Sequence, residues 1–264
     1  MKILSWNCRG LGKPRTVQSL CMLVKEQVPD MVFLMETKLF YGRALKVEER
    51  FRFEGVIVVE SVGRSGALMI MWRQKERIVL VNYSQRHINV LVQEEGRRGK
   101  WLLTCFYGQP EARYRGEAWR LLSSFRPAEG GWGVIGDFNE VLTNDEKEGG
   151  NLRNEKQMGM FRRVLEDGNL SDLGWKGDKF TWCNQHEDDT FIKERLDRVV
   201  ANPEWRAMFD AYRVETLPVV CSDHRPILLE CLWSRCTVRS HHVFFKYEIN
   251  SVKEEGCSEI VKTE

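Results

Sequence analysis

The sequence predicts an α/β domain of two packed sheets carrying helices on their outer faces. Three observations predict it: about ten short apolar runs, helical spacing interleaved among those runs, and no Pro/Gly/Ser-rich linker to divide the chain. Ile3 to Trp6 opens the chain as a strand. Thr16 to Val24 has helical spacing, with Pro14 ahead to start it and Pro29 behind to stop it. Strands follow at Met31 to Met35, Val56 to Val59, Ala67 to Trp72, Ile78 to Val81, Ile88 to Val92 and Trp101 to Phe106. Most are β-branched or aromatic and bounded by Gly, Asn, Asp or charged residues, and many lack polar alternation, as strands buried on both faces do. Glu94 to Lys100 reads as a hairpin turn. Ala118 to Phe125 and Glu155 to Leu165 return to helical spacing, on either side of a strand at Gly133 to Ile135; Val214 to Leu217 and Ile227 to Leu232 close the set. Residues 1–232 are therefore expected as one domain and 233–264 as a loosely held tail.

Composition narrows the function classes. The 264 residues are 42% hydrophobic and 30% charged, enough apolar surface to bury a core. Forty Lys and Arg against 38 Asp and Glu leave +2, so nucleic acid cannot be held by bulk charge and any polyanion site must be local. No apolar run approaches the roughly 20 residues of a membrane span, and the N-terminal run is too short for a signal segment. Eight cysteines show no C-x-x-C spacing and several lie in apolar runs. They predict reduced, buried thiols and a cytoplasmic or nuclear protein.

Chemistry-bearing residues gather where apolar runs stop: Ser5-Trp6-Asn7, Met35-Glu36-Thr37-Lys38, Phe106-Tyr107-Gly108, Gly136-Asp137-Phe138-Asn139, Arg195-Leu196-Asp197-Arg198 and Cys221-Ser222-Asp223-His224-Arg225-Pro226. Carboxylates and amides suit a hard divalent cation, and a His with aspartates to orient it suits acid/base work on a phosphate. Singly, each has a plainer meaning. Glu36 could be a strand-end surface residue, Gly136 to Asn139 a turn, Asn7 a loop cap, Tyr107 core, Asp197 a surface ion pair, and His224 a satisfied structural histidine. The ordered set points to phosphodiester hydrolysis.

In that order the segments resemble the endonuclease/exonuclease/phosphatase superfamily, specifically the apurinic-type endonuclease domain that begins plant non-LTR (LINE-type) retrotransposon polyproteins. Trp6-Asn7-Cys8-Arg9-Gly10-Leu11-Gly12 and Lys179-Phe180-Thr181-Trp182 look like the plant branch. The resemblance covers residues 1 to about 232. It implies a DNase I-like four-layered α/β sandwich of two mostly antiparallel sheets flanked by helices. It also implies Mg²⁺-dependent cleavage, with Mn²⁺ as a substitute, at one rim.

By the same resemblance Glu36 binds the metal with Asp223 near it, Asp137 and Asn139 position or activate water, and Asn7 and Tyr107 contact the scissile phosphate. His224, oriented by Asp197, stabilises or protonates the phosphate oxygens. Three positions depart from the repair enzymes of the superfamily. Arg9 stands where they carry an acid, Gly108-Gln109-Pro110 follows Tyr107 without their Asn, and Thr181 and Glu194 fall where aromatic residues wall an abasic-sugar pocket. A carboxylate there would leave that pocket open and weakly selective. Basic loop residues (Arg9, Lys13 and Arg15; Lys38 and Arg43; Arg113 and Arg115, with Tyr114 between them) are expected to meet DNA phosphates. Segments 244–248 and 255–261 look like the start of the linker towards a reverse transcriptase, so the resemblance implies a truncated or stand-alone endonuclease. The expected state is a monomer with DNA as partner, and neither a membrane nor an obligate protein. The alternatives are a phosphatase of a small phosphorylated lipid or nucleotide, and a catalytically silent DNA-binding relic.

Overall fold

The computed structural model describes residues 1–39, 41–61, 67–73, 78–93, 99–218 and 221–232; the expected tail lies outside them, as does most of the expected turn at 94–100. In chain order the elements are β1 (Lys2–Asn7), α1 (Pro14–Gln27), β2 (Met31–Met35), α2 (Tyr41–Phe51), β3 (Gly55–Val59), β4 (Leu68–Trp72), β5 (Ile78–Ser84), β6 (His87–Gln93) and β7 (Lys100–Tyr107). There follow α3 (Arg115–Ser123), β8 (Gly131–Asp137), β9 (Lys147–Glu148), α4 (Glu155–Asp167), β10 (Ser171–Asp172), β11 (Lys176–Gly177), β12 (Trp182–Cys183), β13 (Lys193–Glu194), β14 (Asp197–Ala201), α5 (Pro203–Ala207), β15 (Ala211–Thr216) and β16 (Ile227–Leu232).

Local chemistry explains the boundaries. Pro14 sits in the first turn of α1, where its missing N–H costs nothing, and the helix ends at Val28 in left-handed backbone just before Pro29. Asn154 caps α4 by accepting the Lys156 N–H (2.9 Å), and Asn202 caps α5 by accepting that of Trp205 (2.9 Å).

One sheet runs β11-β15-β16-β1-β2-β4-β3 and the other β10-β14-β8-β7-β6-β5, with a small third sheet β12-β13-β9. Pairing is antiparallel except for β1 with β2, β7 with β8 and β11 with β15. Strand alternation builds the layers. Ile3, Met31, Phe33 and Met35 face Ile88, Val90, Leu103 and Ile135 of the other sheet, whereas Leu4, Trp6, Val32 and Leu34 turn outward onto Leu20, Leu23 and Val24 of α1. Phe106, Trp132 and Val134 meet Trp119 of α3 and Phe161 of α4 on the opposite outer face. Helix, sheet, sheet, helix is the four-layered α/β sandwich.

Several elements differ from expectation. The helix expected at 118–125 is α3, which begins at Arg115, and α2, α5 and the short strands were not legible. Strand β14 has no apolar-run signal because Asp197 and Arg198 open it, yet all five of its residues are buried. Strand β5 forms the end of its sheet and exposes Val79, Val81 and Tyr83, so it is not buried on both faces. Cys8, Cys105 and Cys231 are buried, whereas Cys21, Cys183 and Cys221 are only partly so. No helix among the described residues is long and apolar enough to cross a membrane.

Candidate active site

Register brings the polar segments to one rim. In the parallel pair β1 and β2, Asn7 lies opposite Met35, so Asn7 and Glu36 leave the sheet together. In the parallel pair β7 and β8, Tyr107 lies opposite Asp137. Antiparallel β14 begins where β8 ends, with Asp197 opposite Asp137, and β16 begins opposite Ser5, which delivers residues 222–224 to the same edge. Gly136 makes the close approach possible: at φ +145° a Cβ would lie 1.9 Å from the Phe106 carbonyl oxygen. Arg9, Glu36 and Asn139 all hold left-handed backbone (φ 47°, 52° and 56°), a conformation non-glycine residues keep only where surroundings impose it.

The side chains interlock. Asn7 Nδ2 donates to Glu36 Oε1 (3.1 Å) and Asp137 Oδ2 (3.0 Å), and the Tyr107 hydroxyl donates to Glu36 Oε1 (2.9 Å). His224 Nδ1 is 2.9 Å from Asp197 Oδ2, and its Nε2 is 3.7 Å from Asp137 Oδ2. The Asn139 N–H donates to Asp137 Oδ1 (2.9 Å), while its side-chain amide donates to the Gly108 carbonyl (3.1 Å). Asn139 therefore orients Asp137 through its backbone. Ser222 Oγ donates to the Asn7 carbonyl and accepts the His224 N–H, and Trp6 Nε1 donates to the His224 carbonyl (3.0 Å).

Charge and burial set the proton positions. Burial alone would lower the His224 imidazole, but the charges of Asp197 and Asp137 and the hydrogen bond to Asp197 outweigh it and raise the pKa to about 9. His224 is accordingly an imidazolium at neutral pH. Burial pushes Asp137 up to about 6, with His224 and the Asn7 hydrogen bond opposing it and Asp197 reinforcing it. Glu36 is also penalised by burial, yet hydrogen bonds from Asn7 and Tyr107 and the charge of Arg9 hold it below the usual carboxylate range. Burial, then Glu36 and Asp137, push the Tyr107 phenol far up, so it stays a hydrogen-bond donor.

Two groups could hold a cation. Asp137, Asp197 and His224 each bring a ligand atom within 4.8 Å of the others. Glu36 and Asp223 offer carboxylate oxygens, and beside them the buried Asn7 Oδ1 has no hydrogen-bond partner among the described residues. That all-oxygen donor set fits Mg²⁺ or Mn²⁺. In this structure Arg9 joins the pair: its Nε is 3.5 Å from Glu36 Oε2 and its Nη1 bonds Asp223 Oδ2. Trp182 Nε1 also donates to Asp223 Oδ2 (3.0 Å), a contact with no sequence signal beyond an aromatic residue near the motif.

Three expectations need correction, and the plainer meaning of Asp197 as a surface ion pair fails. Thr181 walls no pocket: it is buried, and its hydroxyl accepts the N–H groups of Leu196 and Asp197 (3.0 and 2.9 Å), fixing the strand that carries Asp197. Glu194 is buried and neutralised by Lys147 (2.8 Å) and Arg153, so it offers no free charge to repel a phosphate. Arg195 and Arg198 do not pair with Asp197; both are buried and bind Glu146 and Asp172, leaving Asp197 to His224. Of the basic loop residues, Arg115 is buried on Glu140 (2.5 Å), Arg113 pairs with Glu111 (2.7 Å), and the Arg43 side chain lies outside the description. Lys13, Arg15 and Lys38 are exposed.

Residues 4–224 match the Endonuclease/Exonuclease/phosphatase family. No curated protein matches. Among solved structures, the chain is similar to the 3'-5' exonuclease NExo from Neisseria meningitidis, at 19% identity and TM-score 0.67 over 88% of this chain and 100% of that one. An AP endonuclease from Archaeoglobus fulgidus is similar at 15% identity and TM-score 0.68, over 88% and 99% of the two chains. The endonuclease domain of TRAS1, a telomere-specific non-LTR retrotransposon, gives 15% and 0.62 over 89% and 99%. These likenesses establish the DNase I-like sandwich, and the match over residues 4–224 makes the chain a member of the Endonuclease/Exonuclease/phosphatase family.

Proposed function

We propose that this protein is a divalent-metal-dependent phosphodiesterase that nicks DNA. One observation carries the reading: a doubly flanked imidazolium, His224, lies in the same hydrogen-bonded network as a carboxylate of raised pKa, Asp137, and as Glu36, one of the two carboxylates suited to a hard cation. Asp137, poised near neutrality at about 6, is suited to take a proton from attacking water, and Asn139 and Asn7 hold its two oxygens in place. His224 Nε2–H is suited to donate to a phosphate oxygen as negative charge grows, while Asp197 fixes the ring by its Nδ1–H. Tyr107 and Asn7 orient Glu36 beside the phosphate, and Asn7 also ties it to Asp137. Glu36 and Asp223 would hold Mg²⁺ or Mn²⁺, which when bound supplies Lewis-acid neutralisation of the phosphate. Lys13, Arg15 and Lys38 supply exposed cations for the backbone of the duplex.

Recognition through the duplex backbone by the exposed Lys13, Arg15 and Lys38 supports intact DNA as the substrate, with weak discrimination for an abasic nucleotide. The stretches Trp6 to Gly12 and Lys179 to Trp182 support a plant retrotransposon origin. The test is relaxation of supercoiled plasmid. Nicking in Mg²⁺ that stops in excess EDTA is the expected result; undiminished nicking in chelator overturns the metal assignment, and release of phosphate from monoesters without nicking overturns the DNA assignment.

A further inference from the structure

Arg9 departs from the acidic residue its position carries in the repair enzymes, and it does more than remove a charge. Its one guanidinium spans Glu36 and Asp223, which come from loops at opposite ends of the chain. Those two side chains are only 14% and 11% exposed, so neither is well solvated and both need a counter-cation. The Arg9 side chain is 50% exposed, so it can leave without disturbing the core.

We propose that Arg9 is a built-in counter-cation that closes the metal site: it holds Glu36 and Asp223 until a divalent cation displaces it, and the displaced guanidinium then pairs with substrate phosphate. The inference rests on reading Glu36 and Asp223 as the metal's carboxylates. A guanidinium and a divalent ion cannot share the same two carboxylates without like-charge repulsion, so Arg9 weakens metal binding in the absence of DNA. An arriving phosphate offers Arg9 another partner, so duplex and metal bind cooperatively, and by linkage each strengthens the other equally. Lys38 stands on the same edge: its Cδ would lie 3.7 Å from a Cβ placed at Gly10, and loops 8–11 and 35–37 are joined by the Cys8 N–H to Met35 carbonyl and Leu11 N–H to Thr37 carbonyl bonds. The phosphate that releases Arg9 thus has a second cation beside it.

The experiment is calorimetric titration of the full chain with Mn²⁺, with and without a short phosphorothioate duplex that resists cleavage, using the wild type, Arg9→Gln, Glu36→Gln and the double variant. Two partly exposed ion pairs each contribute roughly 0.2–1 kcal/mol, so Arg9→Gln should tighten Mn²⁺ binding without DNA by roughly 2- to 30-fold. The duplex should tighten Mn²⁺ binding more in the wild type than in Arg9→Gln, and Glu36→Gln should abolish tight binding in both backgrounds. Thermal melting in EDTA should show Arg9→Gln folded but less stable, with a larger upward shift on adding Mn²⁺. Unchanged or weaker Mn²⁺ binding by Arg9→Gln, while the wild type binds through Glu36, overturns the role of Arg9 and leaves the metal site standing. Equal enhancement by the duplex in both proteins overturns the transfer of Arg9 to phosphate. Binding by neither protein, or binding indifferent to Glu36→Gln, overturns the metal reading and the inference with it.

Discussion

Replacing Asp197 by Asn tests the centre of the proposed chemistry, because the two side chains have the same shape and differ in charge. Asp197 Oδ2 lies 2.9 Å from His224 Nδ1, with side chains 1% and 5% exposed, so the pair is desolvated and the charge is not screened by water. Asp197 is the first charge to offset the burial of His224 and help raise its pKa to about 9. Without it, His224 keeps Asp137, at 3.7 Å, and the weaker pull of Asp223, and the buried ring loses the first of the charges that keep it protonated. Breaking one side of a buried pair costs about 3–5 kcal/mol. If that loss falls on the transition state, at about 1.36 kcal/mol per tenfold, turnover drops roughly 10²- to 10⁴-fold. The assay is single-turnover nicking of supercoiled plasmid at saturating Mg²⁺, beside duplex affinity and a melting curve. Affinity should change little, since the exposed Lys13, Arg15 and Lys38 hold the duplex and the His224 contact matters most as charge grows in the transition state. His224→Ala should show a comparable loss, and the double variant should be no worse than either, because groups that act as one unit are not additive. A folded Asp197→Asn within tenfold of wild type, or one that loses affinity and turnover together, would refute the reasoning.

Three further outcomes are expected. Arg198→Met should leave Glu146 and Asp172 with Arg195 as their one remaining cation, lowering unfolding free energy by about 3–5 kcal/mol in denaturant titration; a change below about 1 kcal/mol would mean that Arg195 alone satisfies both acids. Burial lowers the His87 pKa from 6.5 to about 4, so the unfolded chain takes up a proton first and stability should fall as pH drops from about 6.5 towards about 4; His87→Gln should flatten that part of a melting-temperature profile, and an unchanged profile would contradict it. On matched duplexes, one with a tetrahydrofuran abasic analogue, the rate ratio should stay well under roughly 10³; a larger preference would mean that residues other than Thr181 and Glu194 wall a working pocket.

The long apolar strands, the helix started by Pro14 and the polar segments at strand ends are all legible, because each rests on local chemistry: apolar runs, a fixed proline φ, turn residues. What the sequence hid depends on partners distant in the chain. Arg195 and Arg198 looked like surface charges because single-residue preference places arginine outside, and only the fold shows Glu146 and Asp172 arriving to meet them. Strand β14 vanished with them, since its polar start broke the apolar run. Thr181 matched a pocket position by order alone, whereas its hydroxyl in fact accepts the Leu196 and Asp197 N–H groups and ties the loop that also bridges His224. A buried hydroxyl with two backbone donors fixes a loop more tightly than an aromatic residue at that position could, and leaves no wall.

These corrections share one electrostatic logic. The rim gathers Glu36, Asp137, Asp197 and Asp223, four acids drawn together by strand register, and that many carboxylates cannot stay close without cations among them. His224 serves Asp137 and Asp197, Arg9 serves Glu36 and Asp223, and Arg195 and Arg198 serve the acids one layer below. In the other two sets the cations themselves are buried, His224 at 5% and Arg195 and Arg198 at 3% and 0% exposed. Arg9 alone is half exposed, so its pair is the set a metal ion and a phosphate can reopen. The near-neutral net charge follows the same pattern: acids and bases are matched locally, and Lys13, Arg15 and Lys38 are left exposed at the edge where a polyanion would approach.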